Sequence, residues 1–253
     1  MFAFIAVFGT VVAACFLLWI TQRSRYSDFI KEFRGVVAPF IGIPGILFAL
    51  NLVFLANDTW IAHDRAQSAV YQEASALSSI MVVAKLLPDP AKTNIMTIVK
   101  QYVSDVVDIE WDKLSRREIE YSTYNDIDAL VSIVMDRSVS EEVNGNTHKY
   151  IISQLEKLKE SHLQRVILSK THINSLKWLS MAFLGFITMI SIVMVHVDQV
   201  KAELIAVLIF ASAATPTAVI VLIQGNPFQQ PTALVSSPIS CVVKSPDECK
   251  RLP

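Results

Sequence analysis

Residues 36–56 run for 21 positions without a charged side chain, and an α-helix needs about 20 apolar residues to cross the hydrocarbon of a bilayer. The chain then turns polar, but no glycine or proline interrupts it before Pro88. One helix is therefore expected to leave the membrane near Asn57 and continue into water. Its apolar part carries a single polar residue, Asn51. At helical spacing Leu47, Asn51, Phe54, Asp58 and Arg65 share one face. A membrane helix with one polar-marked face turns that face to protein or water, not to lipid. Pro39, Gly42, Pro44 and Gly45 crowd its first half and predict a kink or a loosened start.

Composition agrees with a membrane class. Hydrophobic residues make up 53% of the 253 positions and the mean hydropathy is +0.45, too apolar for an ordinary soluble domain. The net charge of −1 gives no basic balance for nucleic acid. Glycine is scarce, with no glycine-rich phosphate loop and no internal repeat. No Cys/His spacing suggests zinc, so neither a metal nor another cofactor is expected. Cys15 lies in an apolar run. Cys241 and Cys249 lie in the Pro-rich tail, where a pair and two free thiols are both open.

Residues 1–20 are uncharged and their basic residues, Arg23 and Arg25, come after them, which is the reverse of a signal peptide. Val12-Ala13-Ala14-Cys15 resembles a lipoprotein cleavage box, but the apolar run continues through Ile20, favouring a retained membrane helix. Trp178 to Val195 and Leu204 to Ile223 supply a second apolar pair, the latter with Pro216 inside and Ser212, Thr215 and Thr217 near enough to serve freed backbone groups. The expected fold is an all-α membrane protein with four transmembrane helices and a helical extramembrane domain inserted between the second and third. The corresponding divisions are 1–56, 57–177, 178–224 and a Pro-rich tail, 225–253, that is extended, disordered or packed along a neighbour. The expected location is the cell (inner) membrane, with several passes. Lys/Arg counts do not decide which side the inserted domain faces, and the reading leans to the cytoplasm.

Within 57–177 four amphipathic helices are expected, with no strand pattern. Their stripes repeat every three to four residues. The first runs to about Leu87 on Ala66, Val70, Ala74, Leu77, Met81 and Ala84, and Pro88-Asp89-Pro90 ends it. The second covers 91–115 with Ile95, Ile98, Val99, Tyr102, Val106 and Trp111. The third covers 123–137 with Ile127, Leu130, Val131 and Val134. The fourth runs from about 147 into the membrane with Ile151, Leu155, Leu158, His162 and Val166. Residues 105–142 hold 11 acids and 4 bases, and 143–177 hold 6 bases and 2 acids. Two solvated faces that attract one another account for this; the sharper reading is an acidic surface that gathers cations, or two faces meeting between subunits.

The order of motifs resembles a known family. Pro39-Phe40 opens the second helix, Gly42 and Gly45 follow, Phe54-x-x-Asn57 closes it, and Asp64-Arg65 comes one to two turns later. Then come Trp60, Val70-x-x-Glu73-Ala74-x-x-Leu77, Leu87-Pro88, Glu110-Trp111 and Pro227-Phe228. This order is similar to the bacterial bestrophin-like membrane family, and more distantly to bestrophin anion channels. It covers residues 36–239. The sequence departs from true bestrophins in two places. Ala56 stands where they place an Arg, and no acidic run of a calcium clasp follows the last membrane helix.

The resemblance implies a homo-oligomer, a pentamer, with the second helices around an axial pore that passes small ions. By position Leu47, Asn51, Phe54 and Asp58 would line it. An apolar ring such as Phe54 gates by dewetting, while a ring of Asp58 favours cations over anions. The alternative is a non-conducting membrane scaffold or sensor whose helical domain binds a partner. Each residue also has a plainer role. Asn51 serves as a hydrogen-bonding partner of a neighbouring helix, Asp58 as an interfacial acid, Trp60 as an interfacial anchor and His162 as a packed core histidine. His196 and Asp198 form a weak metal-binding suggestion. No nucleophile–base pair stands out, so the chain is not expected to be an enzyme.

Overall fold

The computed structural model describes residues 2–23, 42–170, 175–196, 199–223, 225–244 and 246–249. Every regular element among them is helical, as the stripes require. The chain divides into two compact units, one of residues 1–61 and 172–225, the other of 62–171 and 226–253. Helix α1 spans Phe2–Arg23 and helix α2 is described from Gly42 to Ala84, 43 residues without a break. Of the four residues expected to kink or loosen its start, Pro39 lies outside the described residues, as does the loop before it, whereas Gly42, Pro44 and Gly45 fall in the first turn of the described helix.

The first unit holds α1, the start of α2, α8 (Ser175–Val195) and α9 (Val200–Ile223). Among the described residues three helices are long and apolar enough to cross a membrane: Gly42–Ala84, Leu176–Val195 and Val200–Ile220. A shorter apolar helix covers Phe8–Ile20. Leu17, Met189, Val193 and Val207 pack α1, α8 and α9 together. Leu55 and Met181 join α2 to α8, with Phe48, Leu52 and Trp178 around them. Gly185 lets α2 come close, because a Cβ there would lie 3.1 Å from Phe48 Cε2. Ile43, Ile46, Leu50 and Val53 of α2 remain exposed, a surface suited to lipid tails or to other copies.

Pro216 lies inside α9, and the carbonyl it frees is that of Ser212. Two of the three hydroxyls expected to serve freed groups take other partners. Ser212 donates to the Ile209 carbonyl and Thr217 to the Ala213 carbonyl.

The second unit is built from the rest of α2, then α3 (Ala91–Ser104), a π-helical turn (Asp105–Glu110), α4 (Trp111–Ser115), α5 (Ser122–Val134), α6 (Arg137–Glu142) and α7 (Gly145–Lys170). The expected stripes meet in one core. Ala66, Val70, Leu77, Ala84, Ile95, Val99, Ile127, Leu130, Ile151 and Leu158 are all buried in it. Two boundaries differ. The helix expected over 91–115 contains the π turn, and the one expected to reach residue 137 stops at Val134 before the separate α6.

The C-terminal segment folds with this unit. Phe228 and Ile239 are buried in its core, Asn226 Nδ2 donates to the carbonyls of Leu114 and Ser115, and short helices follow at α10 (Ser237–Ser240) and α11 (Pro246–Cys249). Five prolines hinder regular structure here, but they do not prevent burial of the apolar residues between them. Cys241 and Cys249 form a disulfide with Cα atoms 5.3 Å apart.

Candidate functional site

Two sets of polar residues stand out, one in each unit. The first is the marked face of α2. Leu47 and Phe54 are 50% and 62% exposed, so each leaves much of its surface uncovered within the chain. Asn51 is half-buried, and its Nδ2 donates to Ser180 Oγ of α8 at 2.8 Å. Its amide is thus held by a neighbouring helix of the same chain. Asp58 forms an ion pair with Lys177, also of α8, and both side chains are about half exposed (48% and 54%). Trp60 is exposed. His196 donates from Nδ1 to the Ile192 carbonyl at 2.8 Å, and Asp198 lies outside the described residues. Among the described residues no group of three or more His, Cys, Asp or Glu is placed to hold a metal ion.

The second set is a charged cluster inside the helical unit. At its centre Arg165 of α7 is fully buried. Its Nε donates to Glu73 Oε2 at 2.8 Å, and its Nη2 donates to Glu73 Oε1 at 3.0 Å and Glu110 Oε2 at 2.9 Å. Glu73 also accepts from the Tyr102 hydroxyl at 2.6 Å. His162, one turn before Arg165, places Nε2 3.0 Å from Glu110 Oε1 and 3.3 Å from Thr123 Oγ1. The Tyr124 ring packs edge-on against the imidazole at 4.7 Å. The Arg165 guanidinium carbon lies 5.5 Å from the Trp111 ring centroid, a favourable cation–π position. Trp111 in turn donates from Nε1 to the Leu234 carbonyl at 3.1 Å and meets the Phe228 ring edge-on at 5.3 Å.

Local helix geometry explains how these groups meet. Tyr102, Val106, Glu110 and Leu114 follow at intervals of four and are all fully buried. In a regular α-helix such spacing drifts around the cylinder by about 40° per step. The π turn at Asp105–Glu110 winds more residues per turn. It thereby keeps Glu110 on the buried face and delivers Trp111 beside it.

Electrostatics follow from burial. Burial opposes the charge on Arg165, but Glu73 and Glu110 outweigh it and push its pKa well above the usual arginine value. Burial alone would raise Glu110, yet Arg165 and His162 prevail and hold its carboxyl below the ordinary range. The Tyr102 phenol is pushed up by burial and by Glu73, so it stays protonated and donating. Elsewhere in the unit Asp126, 6% exposed, has its carboxyl raised to about 6 by burial and by Asp105. Glu120, paired with Lys113 and accepting from the Ser122 and Tyr121 amides, is lowered to about 2.

This cluster unites residues that the sequence pattern keeps separate. Glu73, Glu110, Trp111 and Phe228 each belong to a motif of the family resemblance, and His162 is indeed in the core. Arg165 stands in the sequence only as one of the six bases of residues 143–177. The missed signal is that it falls on the apolar face of α7, three residues after His162 and seven after Leu158, as Glu73 falls three after Val70 on α2. Ionisable residues on buried faces of separate helices require one another.

Comparison with known proteins agrees with this architecture. A family model described as the bestrophin-like domain matches residues 8–239. Among curated proteins none matches the chain significantly. The fold is similar to that of a crystallised membrane protein variant, with a TM-score of 0.67, 11% identity and 95% of each chain covered. It is also similar to two single-substitution variants of a bacterial bestrophin homologue from Klebsiella pneumoniae. One has a TM-score of 0.67, 12% identity and 96% of each chain covered, and the other a TM-score of 0.66, 12% identity and 94% of each. With its all-helical fold, its apolar spans and a family match over most of its length, the chain belongs to the bestrophin-like family of membrane proteins.

Proposed function

We propose that the protein is an oligomeric ion pore whose wall is formed by the α2 helices of several copies, crossing the membrane with α1, α8 and α9 as the other three spans. What supports this most is the use of the α2 face in the single chain. Leu47 and Phe54 lie on the polar-marked side of a membrane helix, yet they are exposed. Large apolar side chains in that position are suited to an apolar constriction that opens and closes by wetting. The family membership and the fold similarity to a bacterial bestrophin homologue support the same reading. Asn51, tied to Ser180, then acts by fixing α2 against α8, with its remaining amide capacity turned to the pore. Small ions are the expected cargo and the bilayer the expected environment.

A second reading, a non-conducting scaffold, gains from one observation. The Asn51–Ser180 bond is what a dry helix–helix seam would also contain. The two readings separate on assembly. The mass of the purified protein in detergent should correspond to a closed ring, a pentamer by family resemblance. A monomer or dimer would leave α2 no ring to line and would overturn the pore.

A further inference from the structure

The pair Asp58–Lys177 bears on which ions pass, a role that rests on the proposed pore. Asp58 follows directly on the uncharged stretch that ends at Ala56 and Asn57. Lys177 stands in the first turn of α8, whose apolar span begins at Leu176. Both therefore mark the polar end of a membrane segment, where charged side chains settle at the interface. They close the same α2–α8 seam as Asn51 and Ser180. Asp58 is four residues beyond Phe54 and eleven beyond Leu47, on the same helical face. Its carboxylate is half exposed, and so is its partner.

An exposed ion pair of this kind contributes little to stability. Its larger effect is on the field. A ring of bare Asp58 carboxylates would concentrate cations and repel anions. With Lys177 bound to each carboxylate, an ion approaching along this face meets a ring of compact dipoles with no net charge. We propose that the Asp58–Lys177 pair neutralises the mouth of the pore, so that the native pathway discriminates weakly by charge and small anions pass as well as cations. Either partner alone would set the sign of selectivity.

The test is the reversal potential of the full-length protein reconstituted in planar bilayers of uncharged lipid under a sodium chloride gradient. The wild type should give a chloride-to-sodium permeability ratio lying between those of the two single variants. Lys177→Gln should lower the ratio by about threefold or more and Asp58→Asn should raise it by about as much, as expected for unit charges near the ion path in water-like surroundings. Combining the two substitutions should return it towards the wild type. The charge-conserving Asp58→Glu and Lys177→Arg variants should match the wild type, which separates loss of charge from loss of fold. Conduction with ratios unchanged, or moved in one direction by both single variants, overturns this assignment and leaves the pore standing. A wild type that carries no current overturns both.

Discussion

In the unit formed by residues 1–61 and 172–225, Asn51 and Asp58 each meet one side-chain partner and stay partly exposed. In the unit formed by residues 62–171 and 226–253, Glu73, Glu110 and Arg165 are wholly buried and joined by three charge-assisted hydrogen bonds. The difference arises from the surroundings of each set. The helical unit has a core of its own, and a charge inside that core is tolerated only with a counter-charge beside it. The apolar helices of the other unit turn most of their surface outward, so their polar residues line seams and ends instead. The helical unit encloses its charges in an apolar core. The apolar helices of the other unit leave a broad apolar surface uncovered.

The largest effect that would break this contrast lies at Arg165. Arg165→Met should leave Glu73 and Glu110 buried without a counter-charge and cost about 3–5 kcal/mol. Thermal unfolding of the purified protein would show a large fall in Tm. A loss under about 1 kcal/mol would mean that the cluster is not closed to water.

Next comes pH. Glu110 has a lowered folded-state pKa, so its contribution is present above its ordinary value of 4.5 and lost as pH falls through the folded value. Acid should therefore destabilise the helical unit, and Glu110→Gln should flatten that limb of the stability profile. Asp126 has the opposite sign. Its pKa is raised from 3.8 to about 6, so its favourable contribution is full below the ordinary value and lost as pH rises through about 6. Asp126→Asn should stabilise the protein by about 1–2 kcal/mol above that pH and change little in acid. Equal gains at both ends of the range would refute the burial account of this carboxyl.

The smallest effect belongs to the membrane seam. Asn51→Ala should cost less than about 1 kcal/mol, the usual worth of a hydrogen bond between membrane helices. A larger loss would place Asn51 with the buried residues of the helical unit rather than with the exposed face of α2.

Much of the helical unit was legible as periodicity. Val70, Leu77, Ile95, Val99, Leu130 and Leu158 recur at the spacing of buried helix faces and are buried. Three of the four expected apolar spans were legible from length and composition. The cluster was not, because its members lie far apart in sequence and periodicity counts apolar residues, so Arg165 and Glu73 register as interruptions. The π turn was hidden because its residues Asp105 to Glu110 continue a helical pattern, and only the fixed interval of four from Tyr102 to Leu114 hints at the change of pitch. The C-terminal segment was obscured by its prolines. What docks it is a few single contacts, Asn226 on the Leu114 and Ser115 carbonyls and Phe228 against Trp111, and these leave no periodic trace.

The central claim is that the exposed apolar face of α2 lines an ion path. Its most direct test is the current through bilayers containing the wild type or Phe54→Ala, with Tm measured on the same preparations. The account predicts a larger resting current for Phe54→Ala and little change in Tm, because Phe54 is 62% exposed within the chain and truncating it leaves no cavity in the chain's own core. A Tm several degrees lower with no increase in current would contradict it and identify Phe54 as a packing residue.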